Sequence, residues 1–147
     1  MEYINIEDLK YEDIEECYKL AMDVFHENNN LEDIKQLYKK YHNQKDTYRF
    51  LVAKSNGKIV GYTSCIIVYN LFDGSHPFMT LWYVCTHPDY RRKGVATKLF
   101  NEIENIAVTN NCELIYFISR INRKEAHVFY KKQGYQSDNN IAFIKYL

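Results

Sequence analysis

The sequence predicts a single α+β domain built on a central mixed sheet. Three observations lead there. Short apolar and aromatic runs with strand composition alternate with longer segments whose apolar residues recur at helical spacing. The 147 residues are about one domain's length, enough to bury a core without metals or disulfides. No repeat, linker or low-complexity stretch interrupts residues 1–147, so they are expected to form one domain.

The elements follow in order. Tyr3-Ile4-Asn5-Ile6 alternates and opens the chain as a strand. From Tyr11 to His26, Ile14, Cys17, Tyr18, Ala21, Val24 and Phe25 mark one helix face, and Asn28-Asn29-Asn30 breaks the pattern. A second helix, Leu31 to Tyr41, carries Leu31, Ile34, Leu37, Tyr38 and Tyr41 on an apolar face whose aromatics are expected mostly to pack inward as core, contact with a substrate being the alternative. Phe50 to Lys54 and Ile59 to Val68 are strands joined by the tight hairpin signal Ser55-Asn56-Gly57-Lys58. Gly61, inside the second of them, marks a bulge or a close backbone approach. Tyr69 to Pro77 reads as a loop whose Asp73 and His76 are solvated turn residues.

Leu81-Trp82-Tyr83-Val84-Cys85 has the composition of a buried strand, stopped by Thr86-His87-Pro88-Asp89. After Gly94, the positions Val95, Leu99, Ile103 and Ile106 share one helix face. Cys112 to Ser119 is a continuous apolar run suited to a strand buried on both faces. Asn122 to Gln133 is a helix with Ala126, Phe129 and Tyr130 together, and Gly134 is placed to end it. Ile141 to Tyr146 supplies a last strand.

Composition narrows the function classes. Hydrophobic residues make up 46% and charged residues 26%, with a formal net charge of zero, so no global attraction draws the chain to nucleic acid or to a membrane surface. Cys17, Cys65, Cys85 and Cys112 are far apart and form no Cys-x-x-Cys pair or Cys/His cluster, which argues against a metal or redox site. Buried free thiols in a reducing compartment are expected instead. With no basic-then-apolar leader and no apolar run of membrane length, the expected location is cytoplasmic.

The chemistry gathers at Arg91-Arg92-Lys93-Gly94-Val95-Ala96, a basic turn that opens a helix directly after a strand. The first N–H groups of a helix lack intrahelical partners and its dipole makes that end positive, so a phosphate is stabilised there. Gly94 and Ala96 let an anion approach the backbone, while Arg91, Arg92 and Lys93 add charge. The spacing of a nucleotide triphosphate loop and the three-glycine dinucleotide fingerprint are both absent.

The motif Val84-x-Thr86-x-Pro88-x-x-Arg91-x-x-Gly94-x-Ala96 resembles the acetyl-CoA signature of the GCN5-related N-acetyltransferases (GNAT), whose turn reads Arg/Gln-x-x-Gly-x-Gly/Ala. Arg123-x-x-Ala126-His127-x-Phe129-Tyr130-x-x-x-Gly134-Tyr135 resembles the later motif of the same family, and the ending Phe143-x-Lys145-x-Leu147 agrees. The resemblance is close from Ile59 onward and covers earlier residues only in layout.

That resemblance implies a GNAT-like fold, its sheet mostly antiparallel and splayed between the fourth and fifth strands, and acetyl-CoA as cosubstrate. It implies that backbone groups of Val84 and Thr86 pair with the pantetheine arm, and that N–H groups around Arg92, Gly94, Val95, Ala96 and Thr97 hold the pyrophosphate beside Arg91 and Lys93. Asn122 and Arg123 would add cofactor contacts. Lys124, Lys131 and Lys132 read as solvated surface charges, with the adenosine 3′-phosphate as the alternative partner for one of them. It implies catalytic roles for Val84, whose N–H region stabilises the oxyanion, and for Tyr130 as general acid to the departing thiolate. Where some members carry a glutamate this chain has Thr80, which cannot take a proton at neutral pH, so no base is assigned. His87 is a turn residue and His127 a structural or solvated one by the same reading. The implied reaction is acetyl transfer to a primary amine of a small molecule or peptide. A non-catalytic acyl-CoA-binding regulatory module is the alternative, and homodimers are common in the family. A nucleic-acid binder using only Arg91 to Lys93 lacks the extended basic face such binding needs.

Overall fold

A computed structural model describes residues 3–147. The chain falls into two compact units, one ending at Tyr116 and one formed by Phe117–Leu147. In the first, strands β1 (Ile4–Asp8), β2 (Tyr48–Ser55), β3 (Lys58–Val68), β4 (Phe78–Thr86) and β5 (Ile115–Tyr116) form one sheet in sequence order, with helices α1 (Ile14–Phe25), α2 (Leu31–Tyr41) and α3 (Val95–Thr109). β1 to β4 are antiparallel neighbours and β5 is parallel to β4, a mixed α+β arrangement. The second unit contains α4 (Lys124–Lys132).

Side chains on successive strand positions face opposite ways, and this sorts the helices into two layers. Gly61 faces α3, where Val95, Leu99, Ile103 and Ile106 are all buried as their spacing predicts. Its neighbour Tyr62 packs on the other face with Cys17 and Leu20 of α1. Each fully buried aliphatic side chain of α3 stabilises the fold by about 1.5–3 kcal/mol.

Gly61 meets both expectations made for it. The register passes from Ala53↔Gly61 to Lys54↔Ile59, so β3 carries one extra residue there. A Cβ on Gly61 would lie 2.8 Å from Val95 Cγ1 and 3.1 Å from Leu99 Cδ1, so its absence lets α3 approach the sheet. The β2–β3 hairpin turns on Asn56 (φ 50°) and Gly57 (φ 79°), a pair of left-handed residues that matches strand twist.

β4 has a bulge of its own. Tyr62 faces Cys85 and Ser64 faces Trp82, so Tyr83 and Val84 both oppose Thr63 alone, and Tyr83 takes φ 57°. Three expectations need correction. The predicted strand Cys112 to Ser119 shrinks to Ile115–Tyr116, with Leu114 and Tyr116 about half exposed. Its ladder to β4 ends at Thr80↔Tyr116, the last residue of the first unit, although β4 continues to Thr86. Ile141 to Tyr146 forms no strand, and Ile141, Phe143 and Tyr146 are exposed, since apolar alternation makes a strand only where a ladder receives it. The apolar face of α2 is not core: none of its residues is buried.

A clasp holds β1 to the edge of β2, with Asp8 Oδ1 accepting from Arg49 Nη2 at 2.9 Å and Asp8 Oδ2 from Lys45 Nζ at 3.1 Å. Burial pushes the Asp8 carboxyl up, but hydrogen bonds from Arg49 and Lys45 outweigh it and hold the pKa below its ordinary value. The clasp therefore stabilises fully above the unfolded carboxylate pKa of about 3.9 and is lost as pH falls through the lower folded value. Asp8→Asn should melt below the parent at neutral pH, with the gap closing on acidification; a gap independent of pH would show that the carboxylate charge is not what matters. Gly61→Ala should cost about 1–3 kcal/mol in denaturant unfolding, because Val95 and Leu99 have no room to retreat.

Candidate functional site

The basic turn is shaped by its own backbone. Pro88–Tyr90 forms a 3-10 turn in which His87 Nδ1 accepts from Asp89 N–H at 3.1 Å, the turn role expected of His87. Arg91 is extended, Arg92 takes φ 62°, and Gly94, at φ 84°, is the N-cap of α3 with no side-chain cap. Only the Gly94 carbonyl enters the helix ladder, accepting from Lys98 N–H at 3.1 Å. A Cβ at Gly94 would meet nothing within 4 Å, so the glycine is favoured by its φ and not by crowding, and the space beside its Cα is open. Val95 is buried and pins this end to the sheet, while Arg91, Arg92, Lys93 and Thr97 are exposed and Ala96 is half-buried.

Sequence spacing missed one member of this cluster. The Tyr90 ring lies under Lys93 Nζ at 5.1 Å and under Lys58 Nζ at 5.5 Å, which brings the hairpin lysine to the basic turn. Only the fold joins two residues so far apart in the chain.

Val84 and Thr86, both half-buried, belong to β4, and Val84 lies in its bulge. Thr80 pairs with Ile66 on one side and Tyr116 on the other. Asp73 Oδ2 accepts from Asn70 Nδ2 in an exposed 3-10 turn, and His76 is also exposed, in keeping with solvated loop roles.

Between α1, α2 and the sheet lies a cavity of about 390 Å3. Tyr18, Tyr38, Phe50, Tyr62 and Tyr83 give it an aromatic wall, with Met22, Ile34 and Leu37 beside them. Its phenols are engaged by the protein: Tyr38 donates to Leu9 O at 2.8 Å, Tyr18 to Asn29 O at 2.7 Å, and Tyr62 is 2.6 Å from Ser64 Oγ. Tyr83 donates to Glu27 Oε1 at 2.6 Å while Asn29 Nδ2 donates to the Tyr83 oxygen at 3.3 Å. Burial and then the bond to Glu27 push the Tyr83 phenol above its ordinary pKa. This network joins the α1–α2 loop to β4 and carries no signal in local spacing.

In the second unit, Tyr130 is buried and stands edge-on to Phe117 at 4.8 Å between ring centroids. His127 Nε2 lies 3.0 Å from Ser119 Oγ, the structural role expected of it. Gly134, at φ 93°, ends α4: its N–H donates to Lys131 O and the Tyr135 N–H to Tyr130 O. Asn122 is exposed and Arg123 is the N-cap residue of α4, while Lys124, Lys131 and Lys132 are exposed. Among the described residues no group of three or more His, Cys, Asp or Glu is arranged to hold a metal ion, and no helix is long and apolar enough to cross a membrane.

Known proteins bear on this geometry. An acetyltransferase of Yersinia pestis strain Pestoides F is 30% identical over 102 residues, 69% of this chain and 67% of that protein. One from Pectobacterium atrosepticum is 31% identical over 98 residues, 67% of this chain, and the match spans 64% of that protein's length. Among solved structures, glucosamine-6-phosphate N-acetyltransferase from Arabidopsis thaliana superposes with a TM-score of 0.84 at 18% identity, covering 98% of each chain. An aminoglycoside N-acetyltransferase in complex with CoA gives 0.81 at 16% identity, covering 99% of this chain and 96% of that one. At such identities the likeness is one of fold. The profile of the acetyltransferase (GNAT) family matches residues 14–135, most of the sequence and every element from α1 to α4. The chain belongs to the GNAT family of acetyltransferases.

Proposed function

We propose that residues 1–147 act as one acetyl-CoA-dependent N-acetyltransferase domain, cytoplasmic, that acetylates a primary amine. The observation that carries this is the start of α3: an N-terminus without a side-chain cap, open above Gly94, flanked by Arg91, Arg92 and Lys93 and fixed to the sheet by Val95. An anion with two phosphates fits this donor set, because backbone N–H groups, helix dipole and cations all favour it.

In this reading the N–H groups of Arg92, Gly94, Ala96 and Thr97 hold the pyrophosphate, and Arg91 and Lys93 supply charge. Val84 and Thr86 offer backbone groups to the pantetheine amides in the manner of an added strand. Asn122 and Arg123 add contacts at the start of α4. The amine nitrogen, having lost its ammonium proton, forms a bond to the thioester carbonyl carbon; the Val84 N–H stabilises the oxyanion; the C–S bond then breaks and the thiolate takes the Tyr130 hydroxyl proton. The amine's second proton leaves to solvent, and Tyr130 is reprotonated from it. The break in ladder register at Val84 supports its role, since a bulge residue leaves regular pairing.

Calorimetric titration with acetyl-CoA and CoA, followed by thiol release over a panel of amines, tests the proposal. Binding with release supports it; binding without release for every amine would favour a regulatory acyl-CoA-binding module; no binding would overturn both. Gly94→Asp should abolish CoA binding with the fold retained, because aspartate tolerates a left-handed φ but sets a negative charge over the helix end. Gly94→Asn, with the same φ and no charge, should bind more tightly than Gly94→Asp. Tyr130→Phe should lower kcat by about 10²-fold while leaving CoA affinity nearly unchanged. Equal losses in both would return Tyr130 to a packing role.

A further inference from the structure

We propose that the acceptor is a singly charged primary amine on an apolar, ring-sized body, held in the cavity between α1, α2 and the sheet. The inference rests on the acetyltransferase reading and names the substrate class of that site.

Size comes first. A cavity of about 390 Å3 is of small-molecule dimensions. Its walls then restrict the chemistry. Ring faces and aliphatic side chains form most of the surface, and Tyr38 and Tyr62 already spend their hydroxyl groups on Leu9 and Ser64. A body with several hydroxyl or ammonium groups would leave them unpaired against these walls, a cost that an aromatic or branched aliphatic body avoids.

Two carboxylates flank the α1–α2 connection that borders the cavity. Glu27 accepts from Tyr83 and from Asn29, and Asp33 lines the cavity from the first turn of α2. Neither carboxylate joins an ion pair among the described residues, whereas Glu7, Asp8 and Asp13 all do. Carboxylates without a cationic partner beside an apolar chamber suit one ammonium group with its carbon body behind it. Tyr83 neighbours Val84 in the β4 bulge, so an amine held at the Tyr83–Glu27 pair lies at the strand to which the oxyanion role is assigned.

The test compares phenethylamine with spermidine and kanamycin, by calorimetry in the presence of CoA and by thiol release from acetyl-CoA. Phenethylamine should exceed both polycations in kcat/KM by about tenfold or more, the scale on which a pocket discriminates by shape and polarity. Leu37→Glu, at a half-exposed position of the cavity wall, should keep the fold and CoA affinity while weakening phenethylamine and improving spermidine. Glu27→Gln should raise KM for phenethylamine and leave acetyl-CoA affinity unchanged. If spermidine or kanamycin is the better acceptor, or Leu37→Glu leaves the ranking unchanged, the substrate class falls while acetyl transfer stands. If acetyl-CoA does not bind, the acetyltransferase reading falls, and phenethylamine heat in the parent that is lost in Leu37→Glu still assigns the cavity. Neither heat nor thiol release with phenethylamine overturns the inference whatever the cofactor does.

Discussion

The arrangement depends on one close approach, that of α3 to β3 at Gly61. A missing Cβ lets Val95 and Leu99 reach the sheet, and Val95 is the first residue of the helix whose N-terminus makes the candidate anion site. Packing deep in the core thus sets the position of backbone N–H groups at the surface. A helix seated farther out would carry the basic turn with it, so the position of that turn depends on a core glycine thirty or more positions earlier in the chain.

The second constraint is the β4 bulge. With Tyr83 and Val84 opposite Thr63 alone, the strand bends past its two-residue ladder with β5. The same irregularity points Tyr83 at Glu27 and Asn29, toward the cavity beside α1 and α2. One extra residue therefore shapes both the strand edge and the pocket wall. Backbone strain is spent where geometry matters, since a tyrosine at φ 57° is rare without such support.

Much of this was legible from spacing. The four-residue face of α3, the bounds of α2, the Asn56-Gly57 hairpin and the double meaning of Gly61 all rest on local periodicity or on a glycine with a steric task. Non-local facts were not legible. Cys112 to Ser119 and Ile141 to Tyr146 have strand composition, but a strand exists only where a neighbour supplies the ladder, and composition does not say where that ladder ends. The apolar face of α2 shows a second limit: amphipathicity identifies the face that avoids water and leaves open whether it meets core or lines a chamber. The proposed anion site draws on consecutive residues and so could be suggested from the sequence, whereas the Tyr83–Glu27 pair spans distant parts of the chain.

Burial of the thiols bears on how the protein can be studied. Desolvation holds Cys17 and Cys112 above their ordinary pKa and pushes Cys65 up to about 12, and Cys85 is buried as well. Thiolate is the reactive form and access is needed, so at neutral pH the buried Cys17, Cys65 and Cys85 are poor targets for oxidants and for chromogenic disulfide reagents, and Cys112 is the more accessible thiol. In a colorimetric assay the folded protein's own background should be confined to Cys112, and the colour that develops beyond one equivalent will report the sulfur of the liberated coenzyme.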